Sequence, residues 1–159
     1  MGILTDFVMA DVSEANAVAS AVDRGKWPTV SSGRLTTLEV ARLHFVMTGE
    51  DPDAPASPPQ TVRNPFTKAE VPVTIFMQYM STFTTLVDGG EFWVHQLPAS
   101  LVGEIAQASD LPSIAERWAA CDEMEGAEAG YLSDLLSQLR DLARRAQSSE
   151  KALLLWFSL

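Results

Sequence analysis

The stretch "KALLLWFSL" occupies residues 151–159, and its apolar side chains alternate onto both sides of an extended chain. One side takes Leu153, Leu155 and Phe157, and the other takes Leu154 and Trp156. A strand that is apolar on both faces is typical of the interior of a covered sheet, and nine residues are too few to cross a bilayer. We therefore predict a central strand, paired with the alternating "ILTDFVMA" of residues 3–10. The alternative is a tail that docks on a partner.

The size and composition of the chain are those of one ordinary domain. Its 159 residues are 47% hydrophobic, which is enough for a core without disulfide bonds. Four prolines within residues 50–60 remove backbone donors and prevent regular structure there. We predict a single globular domain over residues 1–159, with an exposed proline-rich loop at about residues 50–65.

The charge balance bears on the class of partner. With 21 acidic and 11 basic residues the net charge is −10, which disfavours nucleic acid and anionic membranes as partners and is compatible with a basic protein partner. Cys121 is the only cysteine, so no intrachain disulfide forms, and no Lys or Arg precedes Arg24 as a secretory signal requires. No run of about 18 apolar residues is present, so we expect a cytoplasmic protein without a membrane span.

One helix carries clear start and stop signals. Thr36 and Glu39 have the spacing of a capping box, and Gly49 stands where a helix C-terminal glycine is expected. Residues 71–87 are ambiguous, because their 3.6-residue period favours a helix whereas "TFTTLV", followed by "DGG" and "EFWVHQL", favours a hairpin. We prefer the helix.

The other elements follow from periodicity and capping residues. A strand is predicted at residues 91–97, and further helices at about residues 11–23, 98–108, 110–121 and 132–147. "KWPTVSSG" between the first two helices is predicted to be a loop. Together these elements predict an α+β fold, a helix-rich single domain with a small, mainly three-stranded sheet that includes both chain termini.

The inventory of reactive side chains is small. The chain has two histidines and one cysteine, and no nucleotide-binding, nucleophile-elbow or zinc-protease motif, so we predict no metal site, cofactor or catalytic constellation. His44 is interpreted as a histidine at the edge of the core. Cys121 precedes Asp122 and Glu123, whose charges are expected to raise the pKa of its thiol and to disfavour a nucleophilic role.

His95 is the stronger candidate of the two histidines. On an alternating strand it shares a side with Trp93, so an aromatic face with an imidazole could bind a small molecule or move a proton. The alternative is a partly buried strand histidine with a structural role. A small enzyme or small-molecule-binding domain with a pocket near His95 and Trp93 is the second functional hypothesis.

The densest charge lies between Glu104 and Asp134, where eight acids accompany one base, Arg117. The centre of this segment is "CDEMEGAEAG", and its candidate binding residues are Asp122, Glu123, Glu125 and Glu128. They are either an ordinary solvated face or a surface that steers a basic partner. We prefer a non-catalytic protein-binding or regulatory module, with an immunity or antitoxin-like role as one form of it. A homo-oligomer is the third hypothesis.

Overall fold

The computed structural model describes residues 2–159, and its centre is the C-terminal strand. Five antiparallel strands form one sheet in the order β2-β1-β7-β6-β5. Their bounds are β1 (Leu4–Ala10), β2 (Thr29–Gly33), β5 (Thr84–Asp88), β6 (Phe92–Gln96) and β7 (Ala152–Ser158). The prediction of a mainly three-stranded sheet is therefore wrong, because β2 and β5 extend the sheet beyond β1 and β6.

The central strand β7 is buried on both of its faces. Phe7 of β1 lies opposite Leu155, and Val8 lies opposite Leu154. Leu155 belongs to the larger hydrophobic core and Leu154 to a smaller one. The smaller core is closed by α1 (Ala15–Ser20) and by Trp27, which is 7% exposed. Both sides of β7 are thus apolar because each face of the sheet packs against a hydrophobic core at this strand.

Four helices cover the larger face. They are α2 (Thr37–Thr48), α4 (Ala99–Gln107), α5 (Leu111–Ala119) and α6 (Ala129–Ser148). The predicted signals of α2 are confirmed: the Thr36 amide donates to the Glu39 carboxylate over 2.7 Å, and Gly49 adopts a left-handed φ of 74°. The Trp118 indole of α5 donates to the Glu39 carbonyl over 3.0 Å, which ties α5 to α2.

The predicted helix over residues 71–87 is wrong. The helix α3 (Ile75–Met80) lasts only six residues, and β5 follows it and pairs with β6. The turn between these strands has Gly90 at φ 80°, and the Gly89 amide donates to the Phe92 carbonyl over 2.9 Å. The 3.6-residue period of residues 71–87 is compatible with a helix. The hairpin forms instead because it pairs β5 with β6, and a helix in this place would lose those cross-strand contacts.

Two further segments differ from the prediction. The predicted loop "KWPTVSSG" contains β2, an edge strand that pairs with β1. Two short strands, β3 (Thr61–Arg63) and β4 (Glu70–Pro72), pair only with each other. Each of these strands forms by pairing with a neighbouring strand, because a short polar segment has little strand preference of its own. No helix in the described part of the chain is long and apolar enough to cross a bilayer.

Candidate functional site

A cleft lies between the turn after β2 and the loop before α6. It has a volume of about 470 Å³, and both walls carry charged side chains above an apolar floor. We call it the acidic cleft. Its lining includes Gly33, Arg34, Leu35, Glu39, Glu123, Met124, Glu125, Gly126, Glu128, Tyr131 and Leu132.

The loop that forms the first wall is held by its own turns and by one buried side chain. Met124 is 5% exposed and anchors the loop in the larger core. The Ala127 amide donates to the Met124 carbonyl over 2.9 Å, and Gly126 adopts a φ of 82° within that turn. Glycine is favoured there because a side chain would strain this left-handed backbone. The turn leaves the flanking Glu125 and Glu128 exposed.

The second wall is the segment from Gly33 to Leu35. Leu35 is 2% exposed, and its backbone exchanges hydrogen bonds with the Thr5 hydroxyl, at 2.7 Å to the carbonyl and 3.2 Å from the amide. Arg34 precedes it with a φ of 67°, which is an uncommon conformation for a residue with a side chain. Its guanidinium Nη1 lies across the cleft, 3.9 Å from where a Cβ on Gly126 would stand. Such local strain persists where the surroundings hold the backbone, and here the Arg34 amide donates to the Ile3 carbonyl over 3.0 Å while the Thr5 hydroxyl binds the backbone of the next residue.

Two of the carboxylates in the lining are already occupied. Glu123 is half-buried and forms a salt bridge with Arg42, whose guanidinium lies 4.4 Å from the centroid of the Phe76 ring. Glu39 accepts hydrogen bonds from the backbone and side chain of Thr36. These two charges therefore stabilise the fold and are not available to a ligand at full strength.

Glu125 and Glu128 differ from them in having no such partner. Both are exposed, and none of the salt bridges within residues 2–159 includes either one. Tyr131 lies beside them, 49% exposed, with its hydroxyl 2.9 Å from the Ser32 hydroxyl. The cleft thus combines free carboxylates, an aromatic ring and an apolar floor.

The structure separates the four predicted acidic residues. Glu123, Glu125 and Glu128 line the acidic cleft, whereas Asp122 is exposed outside the lining. Arg34 was missed by the sequence reasoning, because nothing in "SSGRL" indicates a left-handed arginine facing a loop some 90 residues away. The pairing of β2 with β1, the hydrogen bond from the Arg34 amide to the Ile3 carbonyl, and the contacts of Leu35 with the Thr5 hydroxyl place it there.

The predicted pair Trp93 and His95 lies in a second, shallower depression of about 380 Å³. Both rings stack against Phe157, with centroids 5.3 Å away for Trp93 and 5.7 Å away for His95. The Nδ1 atom of His95 is 3.2 Å from the Thr85 hydroxyl. Burial lowers the pKa of His95 below its usual value, and the charge of Asp88 opposes that shift in part.

The two depressions lie on either side of one segment. Gly33, Arg34 and Leu35 line the acidic cleft, while Thr36 and Thr37 line the depression with Trp93 and His95. The residues predicted from two distant parts of the sequence are thus brought to neighbouring surfaces, at the end of the sheet where β2 and β7 terminate.

A third cluster surrounds His44 and was not predicted as such. The Nδ1 atom of His44 lies 2.8 Å from a Glu104 oxygen, Nε2 lies 3.3 Å from Glu50, and the ring stacks on Tyr79 at 4.0 Å. Burial, and next the charge of Glu104, raise the pKa of Tyr79. Ser100 opposes this shift, although the Tyr79 hydroxyl meets no partner in hydrogen-bond geometry. Both nitrogens of His44 face carboxylates, so the cluster is a structural link between α2 and α4.

Among residues 2–159, no group of three or more His, Cys, Asp or Glu side chains is placed to hold a metal ion. Comparison of the chain with known protein families, curated proteins and solved structures gives no match.

Proposed function

We propose that the protein is a non-catalytic binding module whose acidic cleft receives a basic segment of a partner protein. The observation that carries the proposal is the exposure of Glu125 and Glu128 at the rim of a cleft with an apolar floor, with neither acid in a salt bridge within residues 2–159. A lysine or arginine side chain has the matching form, because its aliphatic stem packs on apolar surface while its charged end stays at the rim.

The surroundings of the cleft strengthen the attraction for a basic partner. A groove between α5 and α6 is lined by Glu116 and Asp134, both of which are exposed. These carboxylates add to the negative field around the N-terminal end of α6. Such fields raise association rates and select partners by charge more than they add affinity. A regulatory role, including neutralisation of a basic toxin or nuclease in the cytoplasm, would use this surface.

A fluorescent peptide of alternating lysine and arginine tests the proposal directly. The double variant Glu125→Gln, Glu128→Gln keeps side-chain size and removes two charges, and we expect it to bind about threefold to tenfold more weakly at low salt. The matched control is Asp53→Asn, Asp141→Asn, because both acids are exposed, lie outside the cleft lining and change the net charge equally.

Fluorescence anisotropy gives the dissociation constant for each protein. If the control variant binds the peptide within about twofold of the wild type, the weaker binding of the Glu125→Gln, Glu128→Gln variant is due to the cleft and not to the change in net charge. If the wild-type protein does not bind the peptide, or if both double variants weaken binding equally, the proposal is wrong.

A second candidate function rests on the depression that contains Trp93 and His95. The stacked rings of Trp93, Phe157 and His95 form a continuous aromatic surface beside Asp88 and Thr85. This surface favours a flat, polar small molecule. Ligand-observed NMR with a set of heteroaromatic fragments tests it: binding that Trp93→Leu abolishes would support the site, and binding that is unchanged in this variant would exclude it.

A further inference from the structure

A two-stranded hairpin of the protein is made almost entirely of exposed residues. We call residues 57–72 the arm, since every residue in that range except Asn64 is exposed. It consists of β3 and β4 and the turn between them. Its root is fixed, because Ala56 and Val73 are buried and the Ala56 amide donates to the Val73 carbonyl over 2.8 Å. The arm is thus a defined extension from an anchored base.

The turn at the tip of the arm is ordered by one side chain. The Asn64 side-chain oxygen accepts hydrogen bonds from the amides of Phe66 and Thr67, at 2.9 and 3.0 Å. The Lys68 amide also donates to the Asn64 carbonyl over 2.9 Å. This turn presents Phe66 to solvent with 91% of its surface exposed. A large aromatic side chain held outward in this way resembles the anchors found at protein interfaces.

Two cationic side chains, Arg63 and Lys68, lie at the tip of the arm. Arg63 and Lys68 donate only to backbone carbonyls, those of Lys68 and Pro65 respectively, and neither forms a salt bridge within residues 2–159. Glu70 is the only acid in the arm. The arm is therefore a positive element of a chain whose net charge is −10.

The acidic cleft has the complementary features. Its rim carries the free carboxylates of Glu125 and Glu128, and its floor is apolar. Arg34 and Tyr131 flank that floor, and both side chains interact favourably with an aromatic ring. No residue of the arm lines the cleft of the same chain. An arm that occupies this cleft would therefore belong to another molecule.

We propose that the arm of a second copy of this chain docks in the acidic cleft. Phe66 packs on the floor between Arg34 and Tyr131, and Arg63 and Lys68 face Glu125 and Glu128. This inference rests on the proposed function, because it names the basic segment that the cleft receives. One tip in one cleft buries little area, so the association is weak unless two copies exchange arms and the second contact reinforces the first.

Charge reversal on each side tests the docking. The arm variant is Arg63→Glu, Lys68→Glu, the cleft variant is Glu125→Lys, Glu128→Lys, and a fourfold variant combines them. Sedimentation equilibrium from about 10 μM to about 1 mM covers the range in which a weak interface associates. We expect each double variant to weaken self-association about tenfold or more, and the fourfold variant to restore it to within about threefold of the wild type.

Two further samples make the result specific. Phe66→Ser removes the aromatic anchor without a charge change and is expected to weaken self-association about tenfold. An equimolar mixture of the arm and cleft variants retains one wild-type arm and one wild-type cleft, so it should associate more strongly than either variant alone. The exposed positions of the arm and the rim allow all variants to fold, which circular dichroism checks.

The outcomes separate this inference from the proposed function. A wild-type protein that remains monomeric at about 1 mM overturns the docking, and if it still binds the basic peptide the cleft serves a different protein. Association that is unaffected by the arm variant, or is not restored in the fourfold variant, also overturns it. If the wild type neither associates nor binds the peptide, both proposals are wrong.

Discussion

Leu155 lies in the middle of β7, fully buried between the sheet and the helices of the larger core. Phe7 and His95 are its neighbours on the adjacent strands. Leu155→Ala removes three carbon atoms, worth about 2.4 kcal/mol of transfer free energy at about 0.8 kcal/mol each. A cavity of roughly 80 Å³ adds about 2 kcal/mol if the surroundings do not collapse. We therefore expect a loss of about 4 kcal/mol in the free energy of unfolding.

Urea denaturation followed by far-UV circular dichroism measures this loss. The matched control is Leu159→Ala, the same substitution four residues later, where the side chain is 65% exposed. We expect the control to change the free energy of unfolding by less than about 0.5 kcal/mol. A loss below about 1.5 kcal/mol for Leu155→Ala, or equal losses for the two variants, would refute the placement of β7 at the centre of the core.

Three further predictions concern partly buried polar side chains. Burial raises the pKa of Cys121, Arg42 opposes the shift, and Glu123 and Asp122 add to it. Iodoacetamide should therefore alkylate Cys121 more slowly than a free thiol at pH 8. An alkylation rate equal to that of glutathione would contradict this. Because the pKa of His95 is lowered in the folded protein, the unfolded chain binds more protons below about pH 6.5. The free energy of unfolding should therefore fall with decreasing pH in that range, and should fall less in His95→Gln. Urea denaturation that shows the same pH dependence for both proteins would contradict this. Tyr79→Phe keeps the ring and removes an unpartnered hydroxyl, so the free energy of unfolding should stay equal or rise by up to about 1 kcal/mol; a clear decrease in urea denaturation would show that the hydroxyl has a partner.

The acidic neighbours of Cys121 illustrate how far local sequence can be used. The predicted direction of its pKa shift is confirmed, but burial is the largest cause, and Arg42 of α2 opposes the shift. The sequence showed the two adjacent charges only. Burial and the approach of Arg42 depend on how α2 packs against the loop before α6.

The candidate site was predictable in part. The acids of "CDEMEGAEAG" could be found from charge alone, but their different roles could not. Glu123 forms a salt bridge with Arg42 of α2, whereas Glu125 and Glu128 are left at the rim of the cleft. Adjacent residues of one loop face different surroundings, and only the packed structure shows which.

The sequence by itself determined the elements whose signals are local. The capping box and glycine bound α2, the apolar stripe produced α6, and the apolar composition of both sides of β7 indicated a covered central strand. Tertiary structure decided β2, β5 and the arm, because an extended segment is stabilised by hydrogen bonds to a strand that is distant or follows a turn. It also decided the acidic cleft, since a depression exists only between elements that packing brings together.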